Sequence, residues 1–141
     1  MIYLDTSLIV AAITPEVGTE AAQALLQSTA GGHLCVSDWV MTEVSGALAF
    51  KVRTKQIDAA QRIRALQSWR ALLDTSFNRL SIDRQVFDQA ASYFERSDIN
   101  VRSSDALHIA IADLNGCSLA TLDRLMATAA RQLGVEVVEV D

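Results

Sequence analysis

The sequence predicts an α/β protein, with helices covering both faces of a parallel sheet. Short apolar segments, among them "IYL", "LCVS" and "SLATL", recur along the chain and read as buried strands. The stretches between them carry apolar residues at helical intervals. Strand-like and helix-like segments alternate in chain order, as repeated strand–helix–strand crossovers require. With 141 residues, half of them hydrophobic and 21% charged, the chain can bury a full core in one domain over residues 1–141. One proline and six glycines leave no flexible linker or low-complexity tract.

The elements follow in order. Ile2 to Leu4 form a short strand, and "SLIVAAI" a brief helical segment. A helix runs from about Thr19 to Ser28, stopped by Gly31-Gly32. "LCVS" is a second buried strand. Ser37 or Asp38 caps the helix after it, whose apolar stripe is Val40, Met41, Val44, Ala47 and Leu48. From about Gln56 to Leu73, Ile57, Ala60, Ile63, Leu66, Trp69 and Leu73 keep helical spacing. "FNRLSI" is ambiguous as a strand. Val86, Phe87, Ala90, Ala91 and Phe94 mark an amphipathic helix. Ser103 or Ser104 caps the helix "DALHIAIADLNG", which ends at Gly116. "SLATL" is a strand, Leu125, Met126, Ala129, Ala130 and Leu133 line a helix, and "VEVVEV" is a last strand of mixed exposure. Crossovers between parallel strands are right-handed, and ligands bind at the carboxyl ends of the strands where their order reverses.

Several function classes are disfavoured. The longest apolar runs are broken by charge, so no membrane span is expected. No basic region followed by an apolar core and a cleavage site opens the chain, so no signal peptide is expected. Cys35 and Cys117 lie far apart in sequence near predicted strands and read as buried free thiols rather than a disulfide or metal pair. These points predict a cytoplasmic protein. A net charge of −5 counts against nucleic-acid binding when taken alone. Its distribution counts the other way: Lys51, Arg53, Lys55, Arg62, Arg64 and Arg70 are half of the 12 basic residues and are opposed only by Asp58.

The acids carry the chemistry. Asp5 ends the first strand and Asp123 follows "SLATL". Glu43 sits at the edge of the apolar stripe of the helix after the second strand, and Asp105 lies in the first turn of its helix. Each has an ordinary reading alone: Asp5 and Asp123 as caps, Asp105 as a helix-dipole partner, Glu43 as a flank residue. All four at one end of the sheet would instead repel one another, and a hard divalent cation relieves that repulsion. Mg²⁺ and Mn²⁺ favour such oxygen ligands and can clamp a phosphodiester while activating water.

"YLDTS", "VMTEV" around Glu43, "RSSDALHIAIA" around Asp105 and "LATLD" at Asp123 resemble the four signature segments of the PIN-domain family, in the order seen in VapC-type toxins of bacterial toxin–antitoxin pairs. The resemblance spans nearly the whole chain. It implies a three-layer α/β/α sandwich with a mostly parallel central sheet of four to five strands. It implies an Mg²⁺ or Mn²⁺ cofactor and endoribonuclease activity on single-stranded or looped RNA. It also implies a homodimer silenced by a cognate antitoxin protein. Asp5, Glu43, Asp105 and Asp123 fall on the family's acidic positions, as candidate catalytic and metal-binding residues. Thr6 and Thr121 match supporting hydroxyl positions, with Ser7 a secondary candidate.

Other residues are weighed beside these. His108 shares a helix face with Asp105, and a half-buried imidazole bonded to a carbonyl is preferred to a general base. His33 reads as a loop residue, Asp113 as solvated or paired with a basic group, and Asp98 as a loop acid outside the site. Lys51, Arg53, Lys55 and Arg62 either form a solvated face or grip RNA phosphates or an acidic antitoxin segment. Arg102 is placed to meet phosphate near the metal. Trp39 and Trp69 read as packing residues rather than base-stacking platforms. An aspartyl phosphatase is disfavoured because Ser7 stands where such enzymes carry a second Asp, and an Asp-x-Ser-x-Ser metal loop because Ile9 replaces its second Ser. A non-catalytic alternative is a partner-binding component of an operon-repressing complex.

Overall fold

The computed structural model describes residues 1–140. Five strands form the sheet: β1 (Ile2–Leu4), β2 (Leu34–Ser37), β3 (Phe77–Leu80), β4 (Ser118–Ala120) and β5 (Val137–Val138). Their order is β3-β2-β1-β4-β5, and every neighbouring pair is parallel. The helices are α1 (Thr6–Ile13), α2 (Thr19–Ser28), α3 (Asp38–Arg53), α4 (Ala59–Thr75), α5 (Arg84–Tyr93), α6 (Ser103–Leu114) and α7 (Arg124–Gln132). Helices α1 to α4 pack together, and α6 packs against α5 and α7, giving the α/β/α sandwich. None of them is long and apolar enough to cross a membrane.

The connections step from β1 outward to β2 and β3, then return across the sheet to β4 and outward to β5. The order therefore reverses between β1 and β4. There the crossovers leave in opposite directions and open a crevice beyond the carboxyl ends of both strands. Asp5 directly follows β1, and Thr121 directly follows β4. The backbone N–H of Asp5 donates to the Ala120 carbonyl at 3.2 Å, which fixes the two strand ends side by side.

The core explains this rigidity. Tyr3, Leu4, Leu8, Ile9, Val36, Val40, Val44, Leu48, Ile109, Ile111 and Leu119 are fully buried. Burying each large aliphatic side chain stabilises the fold by roughly 1.5–3 kcal/mol. In α6 every residue from Asp105 to Ala112 is buried, so this helix is enclosed on all sides rather than amphipathic. Gly116 follows it with φ of 60°, a left-handed turn that favours glycine.

Some expected boundaries move. The fourth helix starts at Ala59, not near Gln56, because Asp58 forms a capping box with Gln61. Residue Arg102, not Ser103 or Ser104, occupies the cap of α6, and the Asp105 side chain reaches back to its N–H. The ambiguous "FNRLSI" does contribute a strand, whereas "VEVVEV" pairs only through Val137 and Val138. Cys35 and Cys117 are buried free thiols whose sulfurs lie 3.6 Å apart.

Candidate active site

Asp5 is 1% exposed and accepts hydrogen bonds from Leu8, Ser7 and Thr121. Its Oδ1 accepts from the Leu8 N–H at 3.1 Å, so it caps α1 as well as facing the crevice. The Ser7 hydroxyl lies 2.8 and 2.9 Å from its two oxygens, and Thr121 Oγ1 donates to Oδ2 at 2.9 Å. Ser7 Oγ in turn accepts from the Leu122 N–H, and Thr121 Oγ1 from the Asp123 N–H. Two hydroxyls thus tie the end of β1 to the end of β4. Burial pushes the Asp5 carboxyl up from its ordinary value, against the lowering effect of these hydrogen bonds.

Asp123 caps α7 by accepting from the Leu125 and Met126 N–H groups through Oδ1, which leaves Oδ2 free of backbone donors. Arg102 reaches that Oδ2 at 3.5 Å and also binds Asp105, its Nε lying 3.0 Å from Asp105 Oδ2. One guanidinium therefore spans two carboxylates, and Asp105 holds it more firmly protonated. Glu43 projects from α3. Its Oε2 accepts from Thr6 Oγ1 at 2.5 Å and lies 2.6 Å from His108 Nε2. Burial opposes its ionisation, yet the bonds from His108 and Thr6 outweigh that and hold Glu43 below its ordinary value.

Asp5, Glu43, Asp105 and Asp123 all line one cavity of about 390 Å³, together with Thr6, Ser7, Arg102 and His108. Thr121 supports its floor from behind through Asp5. Among the described residues no group of three or more His, Cys, Asp or Glu side chains is arranged to hold a metal ion as it stands. The donor chemistry nevertheless suits a hard divalent cation, since the four acids supply only oxygen. Arg102 shows that positive charge is accommodated between Asp105 and Asp123.

The remaining expectations separate here. Of the basic candidates only Arg102 lines the cavity. Lys51 instead pairs with Glu16 at 2.7 Å, Arg53 lies over the Phe50 ring, and Lys55 is exposed in the α3–α4 connection. Arg62 is half-buried on α4, its Nε without a partner among the described residues. Asp98 pairs with Arg96, and Asp113 accepts from the Tyr93 hydroxyl rather than from a basic group. Trp69 packs in the core against Phe77.

His108 is 2% exposed rather than half-buried, and it does not bond a carbonyl: its Nδ1 lies 2.8 Å from the Tyr3 hydroxyl and its Nε2 meets Glu43. Both partners come from other elements and leave no local signal in the sequence. Tyr3 and Glu16 carry no sequence signal for the site either. A tyrosine in an apolar strand reads as core, and Glu16, which lines the cavity, sits in a loop with no motif.

A family model described as "PIN domain" matches residues 2–132. Ribonuclease VapC9 of Mycobacterium tuberculosis is 29% identical over 139 residues, covering 98% of this chain and 98% of its own. Among solved structures, Mycobacterium tuberculosis VapC20, described as a sarcin-ricin loop cleaving toxin, superposes with a TM-score of 0.71 at 19% identity. That match covers 92% of this chain and 95% of VapC20. A toxin–antitoxin complex from Klebsiella pneumoniae gives a TM-score of 0.61 at 16% identity, over 87% of each chain. At these identities the two structures report the shared fold.

Proposed function

Because the chain belongs to the PIN-domain family, we propose that it is a metal-dependent endoribonuclease, the toxin of a toxin–antitoxin pair. The observation that carries this reading is the convergence of Asp5, Glu43, Asp105 and Asp123 on one cavity at the β1/β4 switch point. The relatives named as ribonuclease and as toxin support the substrate class.

In this reading the four carboxylates hold Mg²⁺ or Mn²⁺. Such a cation, when bound, would supply positive charge against the phosphate oxygens and ease deprotonation of the attacking water. The chain's own residues do the rest. Ser7 and Thr121 fix both oxygens of Asp5, and Thr6 and His108 fix one oxygen of Glu43. Arg102, whose side chain is 77% exposed, can exchange a carboxylate for an RNA phosphate and so orient the strand. Basic residues of α3 and α4 hold the RNA backbone or an acidic segment of the antitoxin. A homodimer acting in the cytoplasm and silenced by its antitoxin completes the proposal.

Purified protein incubated with structured RNA and Mn²⁺ tests it. Cleavage that chelator abolishes, and that Asp5→Asn and Asp105→Asn each lower by more than about 100-fold, is expected; that factor equals roughly 2.7 kcal/mol of transition-state stabilisation. Absence of cleavage by the wild type, or wild-type cleavage by both variants, would overturn the enzyme reading and favour a purely partner-binding role.

A further inference from the structure

A chain of polar groups runs through the apolar interior and ends in the cavity. Ser37 Oγ lies 2.8 Å from the Tyr3 hydroxyl, which lies 2.8 Å from His108 Nδ1; His108 Nε2 lies 2.6 Å from Glu43 Oε2. The members come from β2, β1, α6 and α3 in turn. Ser37 and Tyr3 are wholly buried and His108 is 2% exposed. Apolar residues would fill these positions without desolvating a polar group, which costs free energy unless each is hydrogen-bonded.

Glu43 fixes the direction of the last bond. An ionised Glu43 only accepts, so His108 Nε2 carries a hydrogen. In a neutral imidazole Nδ1 then accepts, so Tyr3 donates to it and Ser37 donates to Tyr3. With a protonated ring Nδ1 instead donates to Tyr3 and Tyr3 to Ser37, and in both arrangements every ring N–H is used and Nε2 donates to Glu43. Thr6 and His108 both bond Oε2 of Glu43, so Oε1 takes neither bond. The arrangement resembles the outer shell that orients ligands around metal sites in general, where a second partner fixes one atom and leaves the other for coordination.

We propose that Tyr3 and His108 are positioning residues, which act through this chain to hold Glu43 in the orientation that presents its carboxylate to the cavity shared with Asp5, Asp105 and Asp123. The inference rests on the reading that Glu43 serves this site.

The test measures Mn²⁺ affinity of the full chain by calorimetry, alongside RNA cleavage, for His108→Leu, His108→Gln, Tyr3→Phe and Glu43→Gln. His108→Leu should weaken Mn²⁺ binding by about 10–100-fold, the range for lost outer-shell partners. His108→Gln restores an N–H donor toward Glu43 and should recover most of that loss. Tyr3→Phe removes one oxygen from a buried ring and should weaken binding less than His108→Leu does. It carries the test if His108→Leu fails to fold. Wild-type affinity and cleavage in Tyr3→Phe and His108→Leu would overturn the inference. So would His108→Gln being as impaired as His108→Leu, since a donor would then be irrelevant. If Glu43→Gln is itself silent in both assays, the assignment of Glu43 to the site fails first and the inference falls with it.

Discussion

Thr121 Oγ1 donates a 2.9 Å hydrogen bond to Asp5 Oδ2, joining residues 116 positions apart at the ends of β1 and β4. Thr121 is 7% exposed and Asp5 1%, so water does not readily replace the lost donor. Thr121→Val should destabilise the protein by about 1–3 kcal/mol, the cost of leaving a buried acceptor short of a partner. Thr121→Ser should stay close to wild type. Urea denaturation of the three proteins checks the difference, and equal midpoints would show that the bond contributes nothing.

Asp5 and Glu43 should give stability opposite dependences on pH. Burial raises the folded pKa of Asp5, so the stability tied to its protonated form is present in acid and is lost as pH rises through that folded value. Glu43 lies below its ordinary value despite burial, because of His108 and Thr6. Its contribution is present above the unfolded carboxyl range, about pH 4, and is lost as pH falls through the folded value. In chelator, Asp5→Asn should therefore melt above wild type at neutral pH, with the gap closing in acid. Glu43→Gln should melt below wild type at neutral pH and converge with it in acid. Thermal melts across that range read both, and parallel curves for all three proteins would refute the assignment.

The same physics explains what the sequence made legible. Strand β1, helix α2 and strand β2 fall where apolar runs and helical spacing put them, because burial there is repeated and local. Asp5 and Asp123 were visible through their positions after strands, Asp105 through its place in a first helical turn, and Glu43 through the edge of an apolar helical stripe. The contacts of His108 were not, since Glu43 and Tyr3 lie 65 and 105 residues away and only the sheet order brings them together. The nearness of Cys35 to Cys117 was hidden for the same reason, as β2 and β4 are both neighbours of β1. The helix start at Ala59 is not legible in the sequence because Ile57, although buried, packs from outside the helix and extends its apolar pattern backward.

Arg102 and a divalent cation should compete for Asp105 and Asp123. Since the Arg102 side chain is 77% exposed, its pairing is worth no more than ~1 kcal/mol. Arg102→Ala should accordingly tighten Mn²⁺ binding by up to about fivefold, while raising KM for RNA. Calorimetry and cleavage kinetics measure the two effects. Weaker Mn²⁺ binding in the variant would contradict the competition.

The Cys35 thiol should be inert in the native protein. Burial, reinforced by the adjacent Cys117, pushes it up to about 12, and the thiolate is the nucleophilic form. At neutral pH, iodoacetamide should leave Cys35 unmodified in the folded protein and modify it after denaturation. Mass spectrometry reads the result, and rapid native labelling of Cys35 would contradict the burial argument.

Asp5, Glu43, Asp105 and Asp123, from four separate segments, should together bind a divalent cation beside the β1/β4 switch point. Mn²⁺ titration of the wild type and of Asp5→Asn, Glu43→Gln, Asp105→Asn and Asp123→Asn tests it most directly. Each substitution should weaken binding by at least about tenfold, or roughly 1.4 kcal/mol. Wild-type affinity in Asp5→Asn and Asp123→Asn, the acids that follow the two strands flanking the switch point, would contradict it.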